Sequence, residues 1–193
     1  MTRRRIGFAF LIAGGLVTTF AGSKYVSGAA AQDRARREWE ATAARAAFEG
    51  VTASALRGRE VALVHGAAVA RLWIPKIGLD EIILEGIDDD ALNGGPGHFP
   101  GSPLPGEQGN SIVSAHRDRH FRELGRISVG DTVVTEAAGK KTRWVIARRQ
   151  VVDKDRPVLF PSKTALLTLT TCWPIQYFGT APDRLILTAR PIG

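Results

Sequence analysis

Seven short runs of strand character, separated by turns, fill the last two thirds of the chain. Each has four to ten residues, rich in Val, Ile, Leu and Thr. The runs cover residues 69–74, 81–84, 111–115, 132–135, 143–152, 165–171 and 184–189. No helix-length segment alternates with them, which excludes the βαβ rhythm of a parallel α/β sheet. About seven or eight strands in ~125 residues therefore predict a small, mainly β barrel.

Turn-forming residues support a barrel over a helical bundle. Glycine and proline make up about 16% of the chain, against ~12% in average proteins. Residues 93–109, NGGPGHFPGSPLPGEQG, form the longest such run. Short helical turns are predicted at residues 89–92 and 120–124, and neither a GxGxxG motif nor a P-loop is present.

The N-terminus has the pattern of a membrane anchor. Residues 6–23 carry no charge, follow three arginines, and precede Lys24. As a helix they extend ~27 Å, close to the ~30 Å of a hydrocarbon core. The flanking charges predict a single pass with the N-terminus inside, so the rest of the chain lies outside the cytoplasm. The alternative is a signal peptide cleaved near Ala29–Ala31, which gives the same compartment.

Three units are predicted along the chain. Residues 1–24 form the cytoplasmic tip and transmembrane anchor. Residues 25–66 form a helical stalk and linker, because residues 29–48 are rich in Ala, Arg and Glu, and their apolar face is too thin to bury a core. Residues 67–193 form the folded domain.

Charge and cysteine content exclude several function classes. Residues 1–50 carry a net charge of +4 and the remaining 143 residues +3, without a Lys/Arg run or basic-aromatic interleaving. Nucleic-acid binding is therefore not predicted. The one cysteine, Cys172, excludes an intramolecular disulfide and a cysteine-rich metal site.

Cys172, His116 and Arg184 stand at the ends of three predicted strands. An unpaired cysteine is disfavoured in an oxidising compartment unless it has a function, although a buried structural thiol is the alternative. An imidazole can accept the thiol proton and later protonate a leaving amine. A guanidinium suits a developing oxyanion. The three residues together indicate acyl transfer.

The motifs around these residues resemble the sortase family. LTLTTCWP with a downstream arginine is similar to the sortase signature TLxTC…R, and NSIVSAHRDRHF is similar to its histidine motif. The segments RLWIPKIGL, ILEGID, ALNGGPGHFPGSPLPGEQGN and YFGTAPDRLILTAR are most similar to class D sortases. The resemblance covers about residues 70–191. It departs at Trp173 and Ile175, where the TCYPF form of the motif has Tyr and Phe.

The resemblance implies an eight-stranded sortase-type barrel and a cysteine transpeptidase. Cys172 is then the nucleophile, His116 the acid/base and Arg184 the transition-state stabiliser. The implied substrate is a surface protein with an LPxT-like C-terminal sorting signal. The implied acceptor is an amine of a cell-wall precursor or of a pilin lysine. The membrane partner is lipid around residues 6–23.

Residues 153–163, DKDRPVLFPSK, are the predicted substrate loop, since their apolar side chains suit the Leu-Pro of a sorting signal. Val158, Leu159 and, beyond the loop, Thr171 are the candidate substrate-binding residues.

The remaining polar clusters favour structural explanations. His65 is predicted to be solvated and His98 to form local hydrogen bonds, while His120 need not face His116. No metal or other cofactor is predicted. Residues 88–90, all Asp, are explained best by a helix N-terminus, with a calcium ion as the lesser alternative.

Two other functions remain open at this point. One is a catalytically silent, membrane-tethered β-barrel binding module, which would not need Cys172, His116 and Arg184 together. The other is a plain cysteine peptidase, which would transfer its acyl group to water even when amines are abundant.

Overall fold

The computed structural model describes residues 2–48, 63–157 and 160–193. Two α-helices and eight β-strands follow one another along the chain, with 3₁₀ turns at Pro75–Ile77 and Leu124–Arg126. The helices and strands are α1 (Thr2–Phe48), β1 (Ala68–Ile74), β2 (Leu79–Glu85), α2 (Asp89–Gly94), β3 (Gly97–His98), β4 (Asn110–Ser114), β5 (Thr132–Ala137), β6 (Lys140–Asp153), β7 (Leu166–Trp173) and β8 (Asp183–Ile192).

The strands close into a barrel in the order β1-β2-β3-β4-β7-β8-β6-β5. The pairs β2/β3 and β4/β7 are parallel and the others are antiparallel. The predicted mainly β, eight-stranded barrel is confirmed, and the seven predicted runs correspond to β1, β2 and β4–β8. The sequence patterns missed β3, whose two residues lie inside the Gly/Pro-rich run.

Alternating apolar side chains of the strands fill the barrel. Leu167 and Leu169 of β7 face Leu187 and Ala189 of β8 in one buried cluster. Trp144 is fully buried, and its indole Nε1 donates a hydrogen bond to Thr135 Oγ1 at 2.8 Å. On β7 and β8, the side chains that alternate with these core leucines and alanine point to the outer face of the barrel.

The Gly/Pro-rich run is held by a buried histidine. His98 Nδ1 lies 2.6 Å from Glu85 Oε2, and its Nε2 lies 3.1 Å from the Pro103 carbonyl oxygen and 2.9 Å from Ser102 Oγ. The predicted local hydrogen bonds of His98 are therefore present, and Glu85 of β2, which is 13 residues away in the sequence, is an additional partner. One ring nitrogen of His98 faces an oxygen of β2 and the other faces oxygens of the Gly/Pro-rich run. His98 therefore joins this run to the barrel wall.

The Asp88 carboxylate caps the N-terminus of α2. It accepts hydrogen bonds from the backbone N–H groups of Asp90 and Ala91, as the helix explanation of this acidic run predicted. His65, predicted to be solvated, is 59% exposed but pairs with Asp88. Among the described residues, no cluster of three or more His, Cys, Asp or Glu side chains is arranged to hold a metal ion.

Helix α1 includes the helix predicted over residues 29–48, and one face of it packs against the barrel, while its role as a stalk stays a prediction. Ala35 is buried against Ile82 and Leu84. The two-residue strand β3 leaves most of one edge of β2 without a partner strand. The Gln32 side-chain amide occupies that edge, since it accepts from Ile82 N at 2.9 Å and donates to Ile82 O at 3.0 Å. A Cβ at Gly95 would lie 2.9 Å from the Ile82 backbone carbonyl oxygen and would also displace the Gln32 amide, so this close approach favours glycine.

A charged contact continues this packing one helical turn further along α1. The Arg36 guanidinium donates to the Asp80 carbonyl oxygen at 2.7 Å, and Arg71 forms a bidentate pair with the Asp80 carboxylate. The hydrogen bonds from Arg71 hold the pKa of the Asp80 carboxyl below its usual value. Asp80 therefore connects β1, β2 and α1.

Within the described residues, no helix combines the length and apolarity needed to cross a bilayer. The anchor over residues 6–23 and the boundaries at residues 24 and 66 stay predictions.

Candidate active site

Cys172 and Arg184 lie opposite each other across the β7–β8 pair. They are register partners, near the C-terminal end of β7 and the N-terminal end of β8. Partners in an antiparallel pair have Cβ atoms ~5 Å apart and project from the same face. Thr171 and Leu185, the preceding and following residues, are buried on the barrel side, so the thiol and guanidinium are on the outer face, where Cys172 is exposed.

His116 is brought to the same end of the barrel by the parallel pairing of β4 with β7. Ser114 is in register with Thr170. Beyond this pair, the Ala115 N–H donates to the Thr170 carbonyl oxygen at 3.2 Å. The Thr171 hydroxyl donates to the Ala115 carbonyl oxygen at 2.7 Å. His116 and Cys172 are the next residues on the two segments, so these bonds place the two positions at the same end of the barrel.

Burial dominates the electrostatics of His116. The side chain is half-buried, and desolvation lowers the pKa of its imidazole below the usual value. The carboxylate of Asp118 opposes this effect, while the guanidinium of Arg119 adds to it. The lowered pKa favours the neutral imidazole near pH 7, which is the form that accepts a proton.

The turn after His116 is fixed to the barrel by its own residues. The N–H groups of Arg119 and Phe121 donate to the His116 carbonyl oxygen at 3.3 and 3.1 Å, and the Phe121 side chain is fully buried. His120 Nδ1 lies 2.6 Å from Glu81 Oε2 of β2. His120 is therefore paired with the wall of the barrel.

Arg117 connects this turn to the loop between β7 and β8. Its guanidinium donates to the carbonyl oxygens of Tyr177 at 3.0 Å and Gly179 at 2.6 Å, and lies 5.8 Å from the centre of the Tyr177 ring. No sequence motif marks Arg117, whose only signal is its position directly after the candidate histidine.

The candidate substrate-binding residues have different positions. Val158 and Leu159 lie outside the described residues. Thr171 is buried, and its hydroxyl is engaged by the Ala115 carbonyl oxygen, so in this structure it joins the two strands that carry His116 and Cys172. Pro157 and Phe160, which flank the undescribed pair, line a cavity of about 460 Å³ on the outer face of β6 and β8.

The described chain thus presents a thiol, an imidazole and a guanidinium together at one rim of a closed barrel. A thiol beside an imidazole is the arrangement of a cysteine nucleophile with its base, and a guanidinium supplies donors for an oxyanion. These three groups are the kinds of side chain that acyl transfer by a cysteine nucleophile requires.

Comparison with known proteins leads to the same family. The sortase domain model matches residues 72–192. Sortase D of Bacillus subtilis is 36% identical over 129 residues, and the alignment covers 66% of this chain and 65%, just under two thirds, of that protein.

Solved structures agree in fold. A Clostridium perfringens Sortase D5 transpeptidase superposes with a TM-score of 0.72 at 25% identity, covering 85% of this chain and 99% of the other. The catalytic domain of B. anthracis SrtD superposes with a TM-score of 0.58 at 36% identity, covering 70% and 94%. Together with the barrel topology and the match over residues 72–192, these relatives show that the chain belongs to the sortase family, with class D members among its relatives.

Proposed function

We propose that this chain is a cysteine transpeptidase that cleaves an LPxT-like C-terminal sorting signal and transfers the acyl part to an amine. The observation that carries the proposal is the register of three strands. Cys172 opposes Arg184 across β7–β8, and His116 follows the residue that is bonded to Thr170 and Thr171. The family membership supports the same activity.

The first half-reaction forms a thioester. His116 takes the proton of the Cys172 thiol, and the sulfur attacks the carbonyl carbon of the Thr in the sorting signal. Arg184 donates hydrogen bonds to the oxyanion of the tetrahedral intermediate. His116 then returns the proton to the departing amine as the peptide bond breaks.

The second half-reaction releases the product. An acceptor amine attacks the thioester, loses a proton to His116 and displaces Cys172. We assign the acceptor to the class of cell-wall precursor amines or pilin-type lysines. In this scheme Thr171 acts by holding the two strands together, and the apolar part of the β6–β7 loop receives the Leu-Pro of the signal.

The proposed function can be tested by measuring how the acyl group is divided between an acceptor amine and water. Full-length protein incubated with an LPxT-containing peptide and increasing triglycine or lysine-containing peptide should yield increasing amide-linked product and decreasing free acid, measured by mass spectrometry. A peptide with the same residues in scrambled order is the control. Free acid alone at high amine concentration would indicate a plain peptidase. No cleavage of any motif peptide would support a silent binding module.

The proposed location is the cell membrane, with one pass, the N-terminus inside and the barrel outside. It is supported by the uncharged residues 6–23 between Arg3–Arg5 and Lys24. Cells producing the whole chain should carry it in the membrane fraction, and protease added to spheroplasts should degrade the barrel. Protection of the barrel from added protease would contradict this orientation, and a soluble product starting near Gln32 would indicate signal cleavage.

A further inference from the structure

A groove with several arginines lies on the outside of the barrel, close to the strand end that carries Arg184. It lies on the outer face of β6 and β8, next to the β6–β7 loop, and has a volume of about 460 Å³. We call it the arginine groove. Its lining residues include Arg148, Val152, Arg156, Phe160, Ile186 and Arg190. Arg184 precedes Ile186 by two residues on β8, so one end of the groove lies next to the rim that carries Cys172.

The two ends of the arginine groove differ in chemistry. At the end near Cys172, Val152 is in register with Arg184, and Ile186 follows on the same face. At the far end, Arg148 of β6 is in register with Thr188 of β8, and Arg190 follows Thr188 by two residues on β8. Along β6 and β8 the lining is therefore apolar beside the active site and basic away from it, while Arg156 follows Asp153 in the β6–β7 loop.

A β-bulge produces the basic end. The register of β6 against β8 shifts between Ile146 and Arg148. Before the shift Ile146 points into the core, and without the shift Arg148 would point there as well. The extra residue, Ala147, turns Arg148 to the outer face beside Thr188.

The arginines of the groove have no carboxylate partner in the described part of the chain. None of Arg148, Arg156 and Arg190 forms an ion pair there, and no Asp or Glu is among the described lining residues. The nearest carboxylates on these strands, Asp153 and Asp183, are in register with each other at the opposite, cysteine end. The positive end is thus open to an anion supplied by a ligand.

The rise per residue of a β-strand indicates which residues of a bound substrate reach the basic end of the arginine groove. From Arg184 to Arg190 there are six residues, or about 20 Å at ~3.3 Å per residue. Arg148, opposite Thr188, is about 13 Å along the same line. An extended peptide with its Thr carbonyl at Cys172 reaches these distances four to six residues upstream. In an LPxT-like signal, those are the three residues ahead of the motif.

We infer that the arginine groove selects substrates that carry acidic residues in the three positions ahead of the sorting motif. This inference rests on the proposed function, because that function fixes the Thr of the peptide at Cys172. The ligand chemistry is two or more carboxylates on an extended chain. The carboxylates bind Arg148 and Arg190, while the Leu and Pro of the motif lie between the β6–β7 loop and the side chains of Val152 and Ile186.

Three peptides test the inference on the unmodified full-length protein. They share one LPxT-like core and carry Asp, Asn or Lys at the three preceding positions. At low salt the Asp peptide should have a kcat/KM about three- to tenfold above the Asn peptide, and the Lys peptide should be the poorest. Because the charges are exposed, the differences should shrink in 0.5 M salt. Equal kcat/KM for all three at low salt would overturn the inference and leave the transpeptidase proposal intact.

A charge swap assigns the effect to the groove. The variant R148E/R190E should reverse the order of the peptides, with the Lys peptide preferred over the Asp peptide. The charge-matched control is R37E/R143E, which changes two exposed arginines that do not line the groove, and it should keep the original order. The same reversal in R37E/R143E would show a general charge effect and contradict the inference. Thermal unfolding of each variant confirms that it is folded.

A binding measurement keeps the inference independent of turnover. If no peptide is cleaved, the proposed function fails, and anisotropy of labelled peptides with the C172A protein then decides the inference alone. Tighter binding of the Asp peptide, lost in C172A/R148E/R190E, supports an anion-selective groove. Equal affinity of the three peptides overturns it.

Discussion

Replacement of Cys172 by Ala should abolish the acyl adduct that the protein forms with an LPxT-like peptide. The chain has a single thiol, so no other sulfur can take the acyl group. Since Cys172 is exposed, its truncation leaves no cavity in the core, and the fold should be unaffected. Intact-protein mass spectrometry after mixing with peptide should show the wild-type mass shift and none in the variant.

A serine variant is the matched control for this experiment. Cys172→Ser keeps the size and a hydrogen-bonding group but removes the thiolate chemistry, so it should also give no turnover within the time of the assay. Both variants should unfold at the wild-type temperature. An adduct that persists in Cys172→Ala would remove this residue from the mechanism and place the acyl group on another side chain.

Replacement of Arg184 by Lys should lower kcat/KM by about 10²–10³, the range for losing an oxyanion donor. Lysine keeps the positive charge but not the planar fork of five N–H donors. An oxyanion beside Cys172 needs donors at fixed angles, and the antiparallel register holds the Arg184 backbone directly opposite the thiol. A fluorogenic sorting peptide gives kcat/KM, and circular dichroism confirms folding.

Comparison of Arg184→Lys with His116→Ala distinguishes two possible roles of Arg184: hydrogen-bond donation to the oxyanion and a positive field that acts on the thiol. That variant loses the acid/base, for which the general loss in rate is ~10²–10⁴. If Arg184 acted only as a positive field on the thiol, Arg184→Lys would keep most of the activity while His116→Ala would not. Near-wild-type activity in Arg184→Lys would therefore exclude the geometric role, and near-wild-type activity in His116→Ala would remove that residue from the mechanism.

Strand positions could be predicted from sequence because one face of most strands is buried. The alternation of apolar and polar residues then marks each run to within about three residues at its ends. The strand β3 had no such signal. Gly97 and His98 become a strand because Leu84 and Glu85 on one side and Val113 and Ser114 on the other pair with them. That pairing depends on residues distant in the sequence.

The contacts around the candidate site could not be predicted from the sequence either, because they also join residues that are distant in the sequence. The packing of Gln32 on Ile82 joins residues 50 positions apart, and no local pattern in α1 marks it. The outward direction of Arg148 depends on the bulge beside it, because a regular alternation would direct this side chain inward. Cys172, His116 and Arg184 were identified by residue type and by family resemblance, and their register supplies the geometry.

The register of the site has a consequence for folding. Cys172 and Arg184 meet through a β-hairpin that closes over 12 residues, whereas Thr171 and Ala115 meet across 56. The loop-closure entropy of the longer connection costs about 1.4 kcal/mol more. The thiol and the guanidinium can therefore be paired in a chain whose barrel is still open, but the imidazole joins them only when β4 docks on β7. A partly folded chain then has a thiol without its proposed base, so we expect the proposed acyl transfer to begin only after β4 has docked on β7.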